Sequence, residues 1–205
     1  MKSAIAATVA GVAVPVAEID AREARLRGSA AASALPHPNT SEGRQLRRWL
    51  TQLVTTEHVI AAEAAAMGVP VDAAPSESDV LADAAARHDI GSVAAAVLAD
   101  PLARAVFAYV TAAVTVGEEQ IATYHARYPW RFAERPAAGG GWQIPAVEPP
   151  VLERVRPAIT RHLLSAARRR AFRHWLDARC AACVVLAPGY EHPGDPRQPD
   201  NTHRH

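Results

Sequence analysis

The amino-acid sequence predicts a mostly α-helical protein with a short N-terminal β-hairpin, a long C-terminal helix and an extended tail rich in proline and histidine. Hydrophobic residues make up 49% of the chain and aromatic residues only 5%. Much of the apolar content is alanine, which favours helix but buries little surface. Leu, Val and Ile recur at helical spacing between start and stop signals. These observations together predict close-packed helices around an aliphatic core.

The first forty residues predict a hairpin followed by a helix. Residues 4–16 carry β-branched side chains around Gly11 and end near Pro15, a pattern typical of a strand, a turn and a second strand. Residues 17–32 then read as a helix. The next helix begins at Ser41, a favourable N-cap, and ends at Gly68.

The second half predicts several short helices and one long one. Starts are expected near Ser76 or Ser78, at Ser92 and at Asp100, and a further helix over residues 117–128. Residues 136–149 are rich in glycine and proline and predict a linker. A single helix is expected from residue 150 to about residue 186. Its expected inner face recurs at steps of mostly four residues: Val151, Val155, Ile159, Leu163, Ala167, Ala171, Trp175 and Ala182.

Composition narrows the possible partners and compartment. The net charge of +1 gives no overall electrostatic case for binding nucleic acid or an anionic membrane. No apolar run approaches the roughly 20 residues that span a bilayer, so no membrane association is expected. The two cysteines, Cys180 and Cys183, imply no disulfide framework and suit a reducing compartment. On a helix they are expected to act as small hydrophobic side chains.

Three separated segments carry a resemblance to a known family. Residues 7–20 look like an opening strand pair with a glycine turn that leads into a helix. Residues 46–69 look like a second helix that ends in a Gly-hydrophobic pair, here Gly68 and Val69. Residues 116–132 contain paired acids and a tyrosine and end in Arg-Phe. In this order, the segments resemble the SurA-like family of peptidyl-prolyl isomerases, which are folding factors.

The resemblance implies a module without its isomerase domain. In the family a parvulin-type domain follows the third segment, whereas here only residues 133–147 stand in its place. The chain then resumes with a segment similar to the family's C-terminal helix, which packs back on the N-terminal module. The expected division is a helical module over 1–135, a linker over 136–149, a C-terminal helix over 150–187 and a tail over 188–205.

The same resemblance leads to expectations about activity and location. The catalytic residues of a parvulin site belong to the domain that is missing, so no isomerase activity by that mechanism is expected. What remains resembles the part that holds extended or unfolded peptide in a helical groove. The first strand begins almost at Met1 and leaves no room for a signal peptide, which favours the cytoplasm.

Two groups of residues are candidates for binding, one near the end of a predicted helix and one in the C-terminal tail. Tyr124, Tyr128, Trp130 and Arg131 lie in a stretch dense in aromatic and cationic side chains, which are common contact anchors for a ligand or peptide. The alternative is that this helix end packs its aromatic rings on the core.

The C-terminal tail offers a candidate metal site. His192, Asp195, His203 and His205 could bind zinc or a similar divalent metal through imidazole and carboxylate groups. A metal with an open position could activate water. The alternatives are a docked tail without metal and a solvated terminus.

Two functional hypotheses remain open at this point. In the first, a helical cradle without isomerase activity holds a polypeptide or a partner protein, and no cofactor is needed. In the second, the cradle serves as a small-molecule enzyme, as in bacterial secondary metabolism. The tail would then supply metal ligands or acid–base groups. The sequence decides neither the substrate nor the oligomeric state.

Overall fold

A computed structural model describes residues 4–133 and 148–191, and it confirms the predicted fold class. The protein is mostly helical, with an antiparallel strand pair at the N-terminal end and a long helix at the C-terminal end. The elements in chain order are β1 (Ile5–Val9), β2 (Val12–Pro15), α1 (Val16–Arg27), α2 (Ser41–Met67), α3 (Glu77–Val80), α4 (Ala84–Ile90), α5 (Ser92–Val97), α6 (Pro101–Val110), α7 (Glu118–Arg127), α8 (Leu152–Cys183) and β3 (Val184–Leu186). Most of the predicted linker, and the tail from residue 192, lie outside the described residues.

The predicted hairpin is present, and its turn explains the glycine. β1 and β2 pair antiparallel across Ala10 and Gly11, whose φ angles are 49° and 83°. Two successive positive φ values match the right-handed twist of paired strands. Gly11 adopts this conformation without steric cost because it has no Cβ.

A third strand, β3, is absent from the sequence-based prediction. The long helix ends at Cys183, and the next three residues pair antiparallel with β1, so the strand order is β2-β1-β3. Val184 and Val185 are β-branched and favour a strand once a partner is present. The partner is the second edge of β1, which lies far away in sequence. The sheet therefore joins the two ends of the described chain.

Helix α2 is the centre of the molecule and contacts α1, α5, α6, α8 and β1. Its N-cap is Thr40 rather than Ser41: the Thr40 Oγ1 accepts a hydrogen bond from the Gly43 N–H at 3.1 Å. The helix ends at Gly68 in the left-handed conformation, as the sequence predicts. Its buried apolar side chains are Leu50, Leu53, Val54, Val59, Ile60 and Ala64.

Helix α8 buries two different faces along its length. Near its start, Val155 and Ile159 pack against Ile121 of α7. In its second half, Phe172 and Leu176 pack into the main core with α2 and α6. The predicted inner face was partly wrong, because four-residue steps drift by about 40° each on a helix with 100° per residue. Ala182, for example, is exposed.

The lengths and polarity of the helices also bear on membrane association. Among the residues that the structure describes, no helix is both long enough and apolar enough to cross a bilayer.

Candidate functional site

An apolar groove of about 580 Å³ lies between α2, the start of α5, the end of α8, and β3. We call this opening the β3 groove. Its walls are formed mainly by the side chains of Trp49, Thr56, Val93, Leu176, Cys180, Val184 and Leu186. Its volume lies within the ordinary range of about 300–1,000 Å³ for binding sites.

A few polar groups interrupt the apolar wall of the β3 groove. The side-chain nitrogen of Gln52 is buried and has no hydrogen-bond partner within the described part of the chain. Trp49 donates its indole N–H to the Ser92 Oγ at 3.1 Å, which fixes the orientation of its ring. Arg173 and Asp177 are exposed and lie at the mouth with opposite charges. The arrangement suits a mostly apolar ligand that also carries hydrogen-bonding groups.

The Cys180 thiol lies in the groove wall and is free. Burial raises the pKa of Cys180, although a hydrogen bond with Thr56 opposes that shift. A thiol with a raised pKa is mostly protonated at neutral pH and is a weak nucleophile. Cys180 packs against the core, and the neighbouring Cys183 thiol donates to the carbonyl of Arg179 at 2.9 Å. The groove chemistry therefore favours reversible binding.

A second, shallower opening of about 350 Å³ lies along α7. Two of the four predicted ligand residues, Tyr124 and Tyr128, line it. The other two do not: the Trp130 side chain is 50% exposed, and Arg131 is exposed beside it. The structure thus places only Tyr124 and Tyr128 of the predicted group at this opening, because α7 ends at Arg127 and the chain leaves the helix direction after it.

The aromatic side chains of Tyr124 in α7 and Phe132 after it also pack against His162 of α8. The ring of Tyr124 lies 5.0 Å from that of Tyr128, 6.3 Å from that of Phe132 and 5.4 Å from that of His162. His125 forms a hydrogen bond of 2.8 Å with the Pro150 carbonyl. The rings thus pack on a neighbouring helix and also border a small opening, and ligand binding at that opening stays a prediction.

The position of His162 predicts a pH-dependent stability. Burial lowers the pKa of His162 from 6.5, helped by the positive charges of Arg131 and Arg169 and opposed by Asp83. The unfolded chain then binds this proton more readily than the folded protein does. Stability should therefore fall as the pH drops through and below about 6.5 and be retained at higher pH.

This expectation can be checked with His162→Phe, which keeps a ring beside Tyr124 and removes the ionisable group. Urea unfolding of both proteins between about pH 7.5 and 5.5 should show a larger loss of unfolding free energy in the wild type. Parallel pH profiles would contradict the role assigned to His162.

The predicted metal ligands His192, Asp195, His203 and His205 all lie outside the described residues, so the metal site stays a prediction. Over residues 4–133 and 148–191, no group of three or more His, Cys, Asp or Glu side chains is placed to hold a metal ion.

The start of the tail is docked on the helical body. Gly189 has a φ of 92° and allows a turn. The guanidinium carbon of Arg47 lies over the Tyr190 ring, 5.8 Å from the centroid of that ring. Arg47 also pairs with Asp20 of α1 at 2.5 Å. Tyr190 thus fixes the point at which the chain leaves the sheet.

Sequence reasoning missed the residues that form the β3 groove. Trp49 lies within the helix predicted from Ser41 to Gly68 and was given no other role, and residue 186 was expected to end the long helix. The groove forms because β3 folds back on β1 and brings Val184 and Leu186 beside α2. The face of α2 around Gln52 carries Trp49, Thr55 and Thr56, and this mixture gives no local sequence signal of a groove.

Comparison with known proteins gives a partial match. Residues 5–42 match the model of a family of unknown function (DUF7158). The match covers the hairpin, α1 and the first residues of α2. No curated protein and no solved structure matches the chain.

Proposed function

We propose that this protein is a SurA-like helical module without isomerase activity that binds exposed apolar segments of other polypeptides. The observation that carries the proposal is the open, apolar β3 groove of about 580 Å³. A groove that is open to solvent lets a polymer lie in it while both ends of the polymer remain in solvent. Contact with Trp49, Leu176 and Leu186 would remove apolar side chains of the client from water.

The packing of α7 on α8 also supports the proposal. These helices flank the short segment that replaces the family's isomerase domain, and the resemblance requires them to meet. Ile121 contacts Val155 and Ile159 in a small buried cluster. Arg156 of α8 forms an ion pair with Glu118 at the start of α7. The helical body is therefore continuous on both sides of that segment.

Groove-filling substitutions test the proposal. Ala181 is exposed and lines the β3 groove, so Ala181→Trp should occupy the site without removing a core side chain. The matched control is Ala182→Trp, because Ala182 is also exposed but is not part of the groove lining. We expect Ala181→Trp to weaken binding by about tenfold or more, or about 1.4 kcal/mol, and Ala182→Trp to change it by less than about twofold.

The measurement is fluorescence anisotropy with a labelled, permanently unfolded client such as reduced and carboxymethylated α-lactalbumin. Circular dichroism confirms that both variants are folded. Absence of binding by the wild type, or equal effects of the two tryptophans, would overturn the proposal.

A further inference from the structure

Strand β3 forms one edge of the sheet, and its ladder hydrogen bonds run to β1. The Ala10 N–H donates to the Cys183 carbonyl at 2.8 Å, and the Ala187 N–H donates to the Ala6 carbonyl at 2.9 Å. Hydrogen-bonded pairs alternate along an antiparallel ladder, so the backbone N–H and C=O of Val185 also point toward β1. The backbone groups of Val184 and Leu186 therefore point away from β1.

Three of these backbone groups have no backbone partner among the described residues. The Val184 N–H is used at the helix end, where it donates to the Cys180 carbonyl. The Val184 carbonyl and both backbone groups of Leu186 make no such bond within the described ranges. An edge with unpaired N–H and C=O groups is a template for another strand.

Within the described residues, this unpaired edge and the β3 groove belong to the same surface. Val184 and Leu186 lie on one face of the strand and both line the groove, whereas Val185 lies on the other face and is 68% exposed. A chain paired with β3 would direct every second side chain toward the groove, since side chains alternate between the faces of a strand.

We propose that an extended polypeptide segment adds to β3 as a fourth strand and places alternate apolar side chains in the β3 groove. This inference rests on the proposed function and specifies its binding mode. An extended polypeptide matches both parts of the surface, because it presents N–H and C=O groups at two-residue spacing together with apolar side chains. A small apolar molecule would fill the groove and leave the edge unpaired.

The amide of Leu186 provides the test. The probe is the peptide acetyl-Lys-Thr-Val-Thr-Val-Thr-Lys-amide, added to the full chain labelled with nitrogen-15. Saturation is followed by the shift of the Trp49 indole signal. We expect the hydrogen exchange of the Leu186 N–H to slow by about tenfold or more. The Val185 N–H, which already faces β1, should change by less than about twofold.

The outcomes separate this inference from the proposed function. A peptide that shifts Trp49 but leaves Leu186 exchange unchanged would overturn strand addition, while groove binding would stand. A peptide that does not bind, beside an unfolded client that does, would also overturn strand addition. Failure of both ligands to bind would overturn the proposed function itself.

A backbone scan of the probe gives an independent readout. Methylation of single peptide nitrogens removes one donor at a time and leaves the side chains intact. Strand addition predicts a period of two, in which alternate positions weaken binding by about tenfold or more and the others by less than about twofold. A uniform response would contradict it.

Discussion

The Phe172→Ala variant is expected to lose about 3–5 kcal/mol of unfolding free energy. Phe172 is fully buried, and its ring lies 5.2 Å from that of Phe107 in α6 and 5.6 Å from that of Trp175. Truncation removes these contacts and leaves a cavity between α6 and α8, which backbone relaxation fills only in part. Small domains have only about 5–15 kcal/mol of stability, so this loss is a large share.

Urea unfolding monitored by circular dichroism measures this effect. Phe172→Leu serves as the control because it keeps most of the side-chain volume and should lose clearly less unfolding free energy than the alanine variant. A loss of less than about 1 kcal/mol in Phe172→Ala would show that α8 does not depend on this ring.

Gly43→Ala is the second substitution with a large expected effect. It should lower the free energy of unfolding, whereas replacement of a helical glycine by alanine usually raises it. In an exposed helix interior, alanine stabilises relative to glycine by about 1 kcal/mol. At position 43, however, an added Cβ would collide with the carbonyl oxygen of His37 and lie 2.8 Å from that of Pro38. Both are backbone atoms and cannot rotate away. We expect a net loss of about 1–3 kcal/mol, the usual cost of overpacking.

The matched control for this test is Gly28→Ala. Gly28 has a φ of −85°, and a Cβ there would lie 3.5 Å from the nearest carbonyl oxygen, an ordinary contact. Gly28→Ala should therefore be neutral or stabilising by up to about 1 kcal/mol. Thermal and urea unfolding of both variants decide the comparison. Equal effects would show that the loop at His37 and Pro38 does not close tightly over α2.

The parts of the fold that sequence predicts best are those with local signals. The hairpin follows from β-branched residues around Gly11, and α2 follows from its apolar spacing and from Gly68. The strand β3 could not be predicted in the same way, because Val184–Leu186 becomes a strand only through pairing with β1. Sequence propensity at a helix end does not show that such a distant partner is available.

The candidate site was less predictable than the fold for a related reason. Tyr124 in α7 and Tyr128, the residue that caps its C-terminal end, lie one turn apart, so their shared opening follows from local spacing. Trp130 and Arg131 come after the helix end and point elsewhere. The β3 groove combines side chains of α2, α5, α8 and β3, whose neighbourhood depends on tertiary packing. No local pattern contains that information.

The pairing of β1 with β3 has a consequence for how the protein forms during synthesis. Ala7 lies opposite Leu186, so nearly the whole described chain separates the two strands. Closing such a long loop is entropically costly and slow compared with helix formation. On the ribosome, the hairpin and α2 can form early, but the wall made by Val184 and Leu186 must wait until residue 186 has left the exit tunnel. A nascent chain therefore completes the β3 groove only after the hairpin and α2 can already have formed.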